Sequence, residues 1–312
     1  MPLHPEIKEY LDREAASSQK PRNEMTIGQI RERAMKKRHL AGEPVPLPVV
    51  RDVRIPGPAG NIPCRMYRPK ESGMLPLFVY LHGGRFISGN LETHDAICRF
   101  LAKRSGCIVL AVEYRLAPEH KFPAAVYDAY AVTEWLENHG TEIDADPGRL
   151  AVGGDSAGGN LSAAVTLLAL KKGHPSFRCQ VLIYPMLDAT CSLPSHQEYE
   201  SGYGPGSVDM RRGYEEYLPG GTDPRHPLAS PLWAGTPIGL PPAFIQTAEY
   251  DSLRDEGERY AEVLRDEGVE VECTRYEGAI HGIIQMAGIW ELGKRALDDV
   301  AEYLSDRLAP LD

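Results

Sequence analysis

An α/β protein with a mostly parallel central sheet is the fold class this sequence predicts, and three observations lead there. Short apolar runs alternate with segments of helical period from about residue 75 onward, the pattern of parallel strands joined by crossover helices. One of those strands runs straight into Gly154-Asp155-Ser156-Ala157-Gly158 and then a helix, a G-x-S-x-G turn in strand-turn-helix context. The 312 residues, 42% of them apolar and 25% charged, can bury roughly three quarters of their unfolded surface and match a globular chain, not a disordered or fibrous one.

Taken in order, Ile7, Tyr10, Leu11 and Ala15 fall at helical spacing. A second helix starts at Thr26, where Thr26 and Gln29 form a capping box and Met25 and Ile30 stand as a hydrophobic staple. The prolines of Gly42 to Val50 then stop helix and mark a linker. "VVRDVRIP" and "IPCRMYRP" around "GPAGN" read as a hairpin. Strand "LPLFVYL", a helix at about 93 to 104, strand "CIVLAVEY", a helix at about 125 to 138, strand "RLAVGG", a helix at about 157 to 171 and strand "QVLIYPM" follow. A stretch rich in Gly, Pro and Tyr, roughly 187 to 242, interrupts the alternation before strand "AFIQTAEY", a helix to about Glu267, strand "VEVECTRYEG" and a C-terminal helix. Val269 to Glu277 reads as a late strand at a sheet edge, where two copies could pair as a homodimer.

Composition narrows the function. A formal charge of −10 and the absence of any basic cluster beyond Lys36 to Arg38 exclude a nucleic-acid partner. Six scattered cysteines without a C-x-x-C pair suggest neither a metal site nor a disulfide frame. With a polar N-terminus and no window of eighteen apolar residues, a cytoplasmic protein without a membrane partner is expected.

The turn at Ser156 carries the strongest chemical signal. Gly154 and Gly158 remove side chains that would collide across it, so Ser156 Oγ projects at the carboxyl edge of the sheet and the Ala157 N–H, at a helix N-terminus, can stabilise an oxyanion. Such a serine needs a base and an acid to orient it, in the chain order Ser, Asp, His. His281 is the one histidine beyond residue 226 and lies in a loop after the last strand. Asp251 directly follows the preceding strand and is preferred to Asp255, one helical turn further; either Asp251 or Ser252 can also cap the next helix. "HGGR", His82 to Arg85, occupies the place of an oxyanion loop, with Gly83 and Gly84 as backbone donors and His82 a structural residue. A non-glycine at Arg85 predicts ordinary negative φ there, because positive φ would cost about 1–2 kcal/mol. Its guanidinium either pairs with a carboxylate or faces the substrate.

Together "HGGRF", "LETHD", "EYRLAPEHKFPAA", "GGDSAGGN", "LIYP", "HPLASPL", "DSLRDEG" and "HGI" resemble the bacterial hormone-sensitive-lipase-like esterases of the α/β-hydrolase fold, from about Pro76 to the C-terminus. The resemblance implies a serine carboxylesterase with a sheet of about eight strands and no cofactor or metal; the stretch after Leu187, rich in Gly and Pro and without the long apolar run of a lipid-interface lid, predicts short-chain esters. The same resemblance implies Ser156 as nucleophile, His281 as base, Asp251 as acid and Gly83, Gly84 and Ala157 as oxyanion donors. It also implies that residues 1–48 form N-terminal cap helices over a catalytic domain of 49–312, with 187–242 contributing partly to the cap. Arg85 departs from the family pattern, which has glycine there. A non-hydrolytic small-molecule receptor on the same scaffold is the alternative. A nucleotide-binding oxidoreductase fits poorly, since "GYGPG", Gly202 to Gly206, lacks the spacing and the strand-helix setting. Tyr203, Tyr214 and Tyr217 with Met25 and Met35 read either as a partly aromatic cap or, equally, as ordinary core or surface residues.

Overall fold

The computed structural model describes residues 2–17, 24–235 and 238–310. Its sheet has eight strands in the order β1-β2-β4-β3-β5-β6-β7-β8. β1 (Val49–Gly57) and β2 (Gly60–Arg68) form the expected antiparallel hairpin, and β2 lies antiparallel to β4 (Ile108–Val112). From there β3 (Leu75–Leu81), β5 (Ala145–Asp155), β6 (Cys179–Ile183), β7 (Ala243–Tyr250) and β8 (Val271–Ile280) continue in parallel. β8 is the edge strand, two residues later at its start than the sequence suggests.

Both faces of this sheet are covered, which is why its central strands read as unbroken apolar runs. Leu77, Val79 and Leu81 of β3 point to one core, shared with Val126, Ala129 and Leu136 of α4 (Ala124–His139) and Leu161 and Val165 of α5 (Ala157–Lys172). Phe78 and Tyr80 point to the other, with Ile97 and Leu101 of α3 (Asp95–Ser105) and Leu297, Val300 and Leu304 of α9 (Glu291–Arg307). Each such side chain is fully buried and contributes roughly 1.5–3 kcal/mol relative to exposure.

The remaining helices stand over the carboxyl ends of the strands or flank them. Both N-terminal helices form, α1 (Pro5–Ala16) and α2 (Ile27–Lys37), the latter with the Thr26–Gln29 capping box intact. Arg31 of α2 donates to Ile87 O at 2.9 Å and Ala117 O at 3.1 Å and pairs with Glu119, which ties the helix down across the loop after β3. Residues 187 to 242 are less irregular than their composition suggests, since they contain α6 (Pro194–Glu198) and α7 (Ser207–Tyr217). Gly213 interrupts the apolar period of α7, and its reason is steric: a Cβ there would stand 2.8 Å from Arg85 Cβ. "GYGPG" lies between α6 and α7, with no strand before it. Asn160 of α5 donates to Met186 O at 2.7 Å and Ala229 O at 2.8 Å, fastening the two ends of this stretch to the sheet side. α8 (Arg254–Asp266) completes the flank through Tyr260, Ala261 and Leu264.

Candidate active site

Ser156 sits between β5 and α5 with φ 54° and ψ −116°, a conformation that costs a non-glycine of order 1–3 kcal/mol. Its backbone is held on both sides: the N–H donates to Ile183 O at 2.8 Å, and the carbonyl accepts from Asn160 and Met186, each at 3.1 Å. The flanking glycines are required by a shared obstacle. A Cβ at Gly154 would come within 1.9 Å of Leu81 O, and one at Gly158 within 1.8 Å of the same atom, so β3 passes where both side chains would stand.

Three strand ends converge here. His281, in the turn after β8, places Nε2 3.0 Å from Ser156 Oγ and Nδ1 2.7 Å from Asp251 Oδ2. Because an ionised carboxylate only accepts, Nδ1 carries the proton facing Asp251, and Nε2 is left to accept from the serine hydroxyl. Asp251, 1% exposed, follows β7 and uses its other oxygen to accept the Leu253 N–H at 2.9 Å. It therefore orients the histidine and caps the approach to α8 at once. Asp255 is elsewhere, pairing with Arg254 and accepting the Ser195 N–H at 2.9 Å.

The loop after β3 has two notable features. The Gly83 N–H, an expected oxyanion donor, donates at 2.8 Å to Asp155 Oδ1 and so supports the loop itself. The Gly84 N–H, with φ 125° at that residue, and the Ala157 N–H at the first turn of α5 take no partner among the described residues. Arg85 has φ 57° and Phe86 φ 62°, in place of the negative φ expected at Arg85. The strain is sustained from above: Arg85 Nη1 contacts Asp209 Oδ1 of α7 at 3.1 Å, Gly213 leaves room for its stem, and Phe86 stacks on Tyr217 at 3.8 Å. The guanidinium thus pairs with a carboxylate while still lining the cavity below.

Asp155, which sequence reasoning passed over, is the hub of this loop. Fully buried, it accepts from Tyr80 Oη at 2.8 Å and Gln285 Nε2 at 3.2 Å as well as from Gly83, with His94 Nε2 at 3.3 Å. Burial alone would raise its carboxyl, but His94 and the hydrogen bonds from His94, Tyr80 and Gly83 outweigh that and hold it down at about 2. The available signal was a charged residue ending an otherwise apolar strand. His82 is structural, as expected: burial first, then His94, pushes its imidazole down to about 3, and it stacks on Tyr114 with Nδ1 2.8 Å from Gly83 O.

Ser156 and His281 open into a cavity of about 170 Å³. Its roof is α1 and α2, through Tyr10, Met25, Ile30, Arg33, Ala34 and Lys37. Of the five residues that could make an aromatic cap, only Met25 lines it. Tyr214 and Tyr217 pack on Phe86, Tyr203 stacks on Tyr250, and Met35 Sδ accepts from Asn90 at 3.3 Å. No group of three or more metal-ligating side chains, and no helix long and apolar enough to cross a membrane, occurs among the described residues.

Comparison with known proteins agrees with this geometry. Residues 78–285 match the family described as alpha/beta hydrolase fold. The chain is 47% identical over 263 residues to the carboxylic ester hydrolase LipN of Mycobacterium tuberculosis, covering 82% of this chain and 69% of that protein. It is 35% identical to an arylesterase of Saccharolobus solfataricus, covering 91% of this chain and 93% of the other. Among solved structures, the hyperthermophilic esterase of Pyrobaculum calidifontis superimposes with a TM-score of 0.92 at 42% identity, covering 99% of this chain and all of that one.

Proposed function

The chain belongs to the bacterial hormone-sensitive-lipase-like esterases of the alpha/beta hydrolase fold and is a carboxylic ester hydrolase, and we propose that it cleaves short-chain esters through an acyl-enzyme formed on Ser156. The observation that carries this reading is the hydrogen-bonded series Asp251, His281, Ser156 ending at the cavity. In the proposed reaction His281 Nε2 takes the serine proton as Oγ attacks the ester carbonyl, and Asp251 stabilises the imidazolium that forms. The new oxyanion is received by the Gly84 and Ala157 amides. Each such donor is worth about 10²–10³ in rate, because it is aimed before the charge develops. His281 then protonates the leaving alcohol, and a water activated by the same nitrogen releases the acid.

Short acyl chains are supported by the cavity's 170 Å³, below the roughly 300 Å³ at which drug-sized ligand sites begin. The helices of residues 1–48, with part of 187–242, act in this reading as a cap, supported by the six residues of α1, α2 and Met25 before it that face the cavity. A cytoplasmic setting is supported by six cysteines all present as free thiols. A homodimer through β8 is supported by that strand's place at the sheet edge, and light scattering at micromolar concentration tests it, a monomeric mass removing it.

The test of the central reading is pre-steady-state hydrolysis of 4-nitrophenyl acetate. A burst equal to the enzyme concentration is expected, with Ser156→Ala folded and nearly inactive. More than a few per cent of wild-type activity in that variant would assign the nucleophile elsewhere. Wild-type protein that binds esters without turnover would instead make it a receptor.

A further inference from the structure

The chain carries a formal charge of −10, yet no Asp or Glu is among the described residues lining the cavity that holds Ser156, while Arg33, Lys37, Arg38 and Arg85 all are. In an acidic protein this local inversion of sign is a specific feature of the site. Among the described residues two carboxylates touch three of these four cations from behind. Asp209 pairs with Arg85, and Glu14 of α1 is shared by Arg33, at 2.7 Å, and Lys37, at 2.5 Å. One carboxylate cannot neutralise two cations, and Arg38 has no carboxylate partner among the described residues, its Nη1 donating only to Met35 O at 3.1 Å. The roof helix α2 therefore presents a net positive charge to the cavity.

A second observation points the same way. Arg33 Nε is buried and makes no hydrogen bond among the described residues, although Nη2 of the same guanidinium donates to Glu14. A buried, cationic N–H without an acceptor is costly unless something supplies one, and its position on the cavity wall is where a ligand oxygen can. The lining residues Met25, Ile30, Ala34 and Met286 carry no oxygen acceptor in their side chains.

We propose that the preferred substrates are short esters that themselves carry a carboxylate, held by Arg33 and Arg38 of the roof while Ser156 attacks the ester. This rests on the esterase reading of the same site. The cations steer an anionic substrate inward against the repulsion of the protein's overall charge, and Arg33 receives it in a partly desolvated setting where a charge-assisted hydrogen bond is strongest. Arg33 and Arg38 act on binding and selection, not on the bond that breaks.

The experiment compares matched pairs at pH 7, where the carboxyl is ionised. Monoethyl succinate against ethyl succinamate places the charge on the acyl side; O-acetylglycolate against O-acetylglycolamide places it on the alcohol side. The expected result is a kcat/KM ratio of acid to amide above about five in at least one pair, shrinking as salt rises. The ratio should fall at least about fivefold in Arg33→Gln/Arg38→Gln, and in the exposed-site variant Arg38→Gln alone by a smaller factor if the double variant does not fold. Calorimetry on Ser156→Ala, which needs no turnover, should show the acid of the preferred pair binding more tightly than its amide. Ratios at or below one in both pairs, or ratios the substitutions do not change, would overturn the inference. Absence of all ester hydrolysis with acid-selective binding retained in Ser156→Ala would overturn the esterase reading alone.

Discussion

Ser156, Asp251 and His281 stand on strand ends whose neighbours are fixed backbone atoms, whereas Arg33, Lys37 and Arg38 stand on a helix fastened largely by side-chain contacts. The floor of the cavity is set by constraints with almost no slack. Leu81 O excludes any side chain at two positions of the serine turn, and Asp155 gathers Gly83, Tyr80 and Gln285 around one buried carboxylate. The roof is joined by Arg31 to the loop after β3 and by Glu14 between its own two helices, contacts that are half-exposed or at the surface. Side-chain contacts of that kind contribute modestly and tolerate exchange. In the reading proposed above, reaction type belongs to the floor and substrate choice to the roof.

Substitutions in the floor should break this division most severely. Asp251→Asn keeps the shape but loses control of the His281 tautomer, and kcat should fall by about 10⁴, by analogy with other serine triads. Asp255→Asn, whose native contacts are Arg254 and the Ser195 N–H, should lower stability and leave kcat near wild type. Steady-state kinetics beside a urea titration separates the two, and the reverse ranking would show that the wrong carboxylate has been paired with His281.

Arg85→Gly probes the join between floor and roof. Glycine relieves the positive φ, worth about 1–2 kcal/mol, but leaves Asp209 without its partner at a buried contact, a loss of about 3–5 kcal/mol. A net destabilisation of about 2 kcal/mol is expected from the denaturant midpoint. A variant more stable than wild type would mean that the ion pair does not hold the strained loop.

An effect of similar size is acid sensitivity. The Asp155 carboxyl is held at about 2 against an ordinary 3.8, so its folded-state value is depressed. Its contribution to stability is present above about pH 3.8 and is lost as pH falls toward 2, amounting to about 2 kcal/mol. Asp155→Asn should flatten that part of the stability profile. Glu256 of α8 works in the opposite sense: burial raises its carboxyl, contacts with His196 lower it, and it settles at about 7. Its contribution is full below about pH 4.5 and is lost as pH rises through 7, so the two groups bracket the acid range from opposite sides.

Much of the floor was legible in the sequence, because its requirements are local. A tight turn needs glycines at fixed offsets, and a strand buried on both faces needs an unbroken apolar run, so β3, the serine turn and the Ser, Asp, His order could be read directly. What was not legible depends on atoms brought from far along the chain. Gly83 donates its N–H to a residue 72 positions away, and Arg85 accepts positive φ because α7 crosses above it. α7 itself was hidden by Gly213, which breaks a helical pattern for the sake of that crossing. The charge of the roof was visible only as the short basic run Lys36 to Arg38; its relation to the cavity needs the position of α2 over Ser156.

The central claim, that the serine on this floor is the nucleophile and its neighbours make it reactive, is tested most directly by covalent labelling. Protein treated with a small dialkyl fluorophosphate should gain one phosphoryl group per chain, found by peptide mass spectrometry on Ser156, with activity lost in proportion and no labelling in His281→Ala over the same time. Full inactivation with the label on any other residue, or labelling of Ser156 that leaves ester hydrolysis intact, would contradict it.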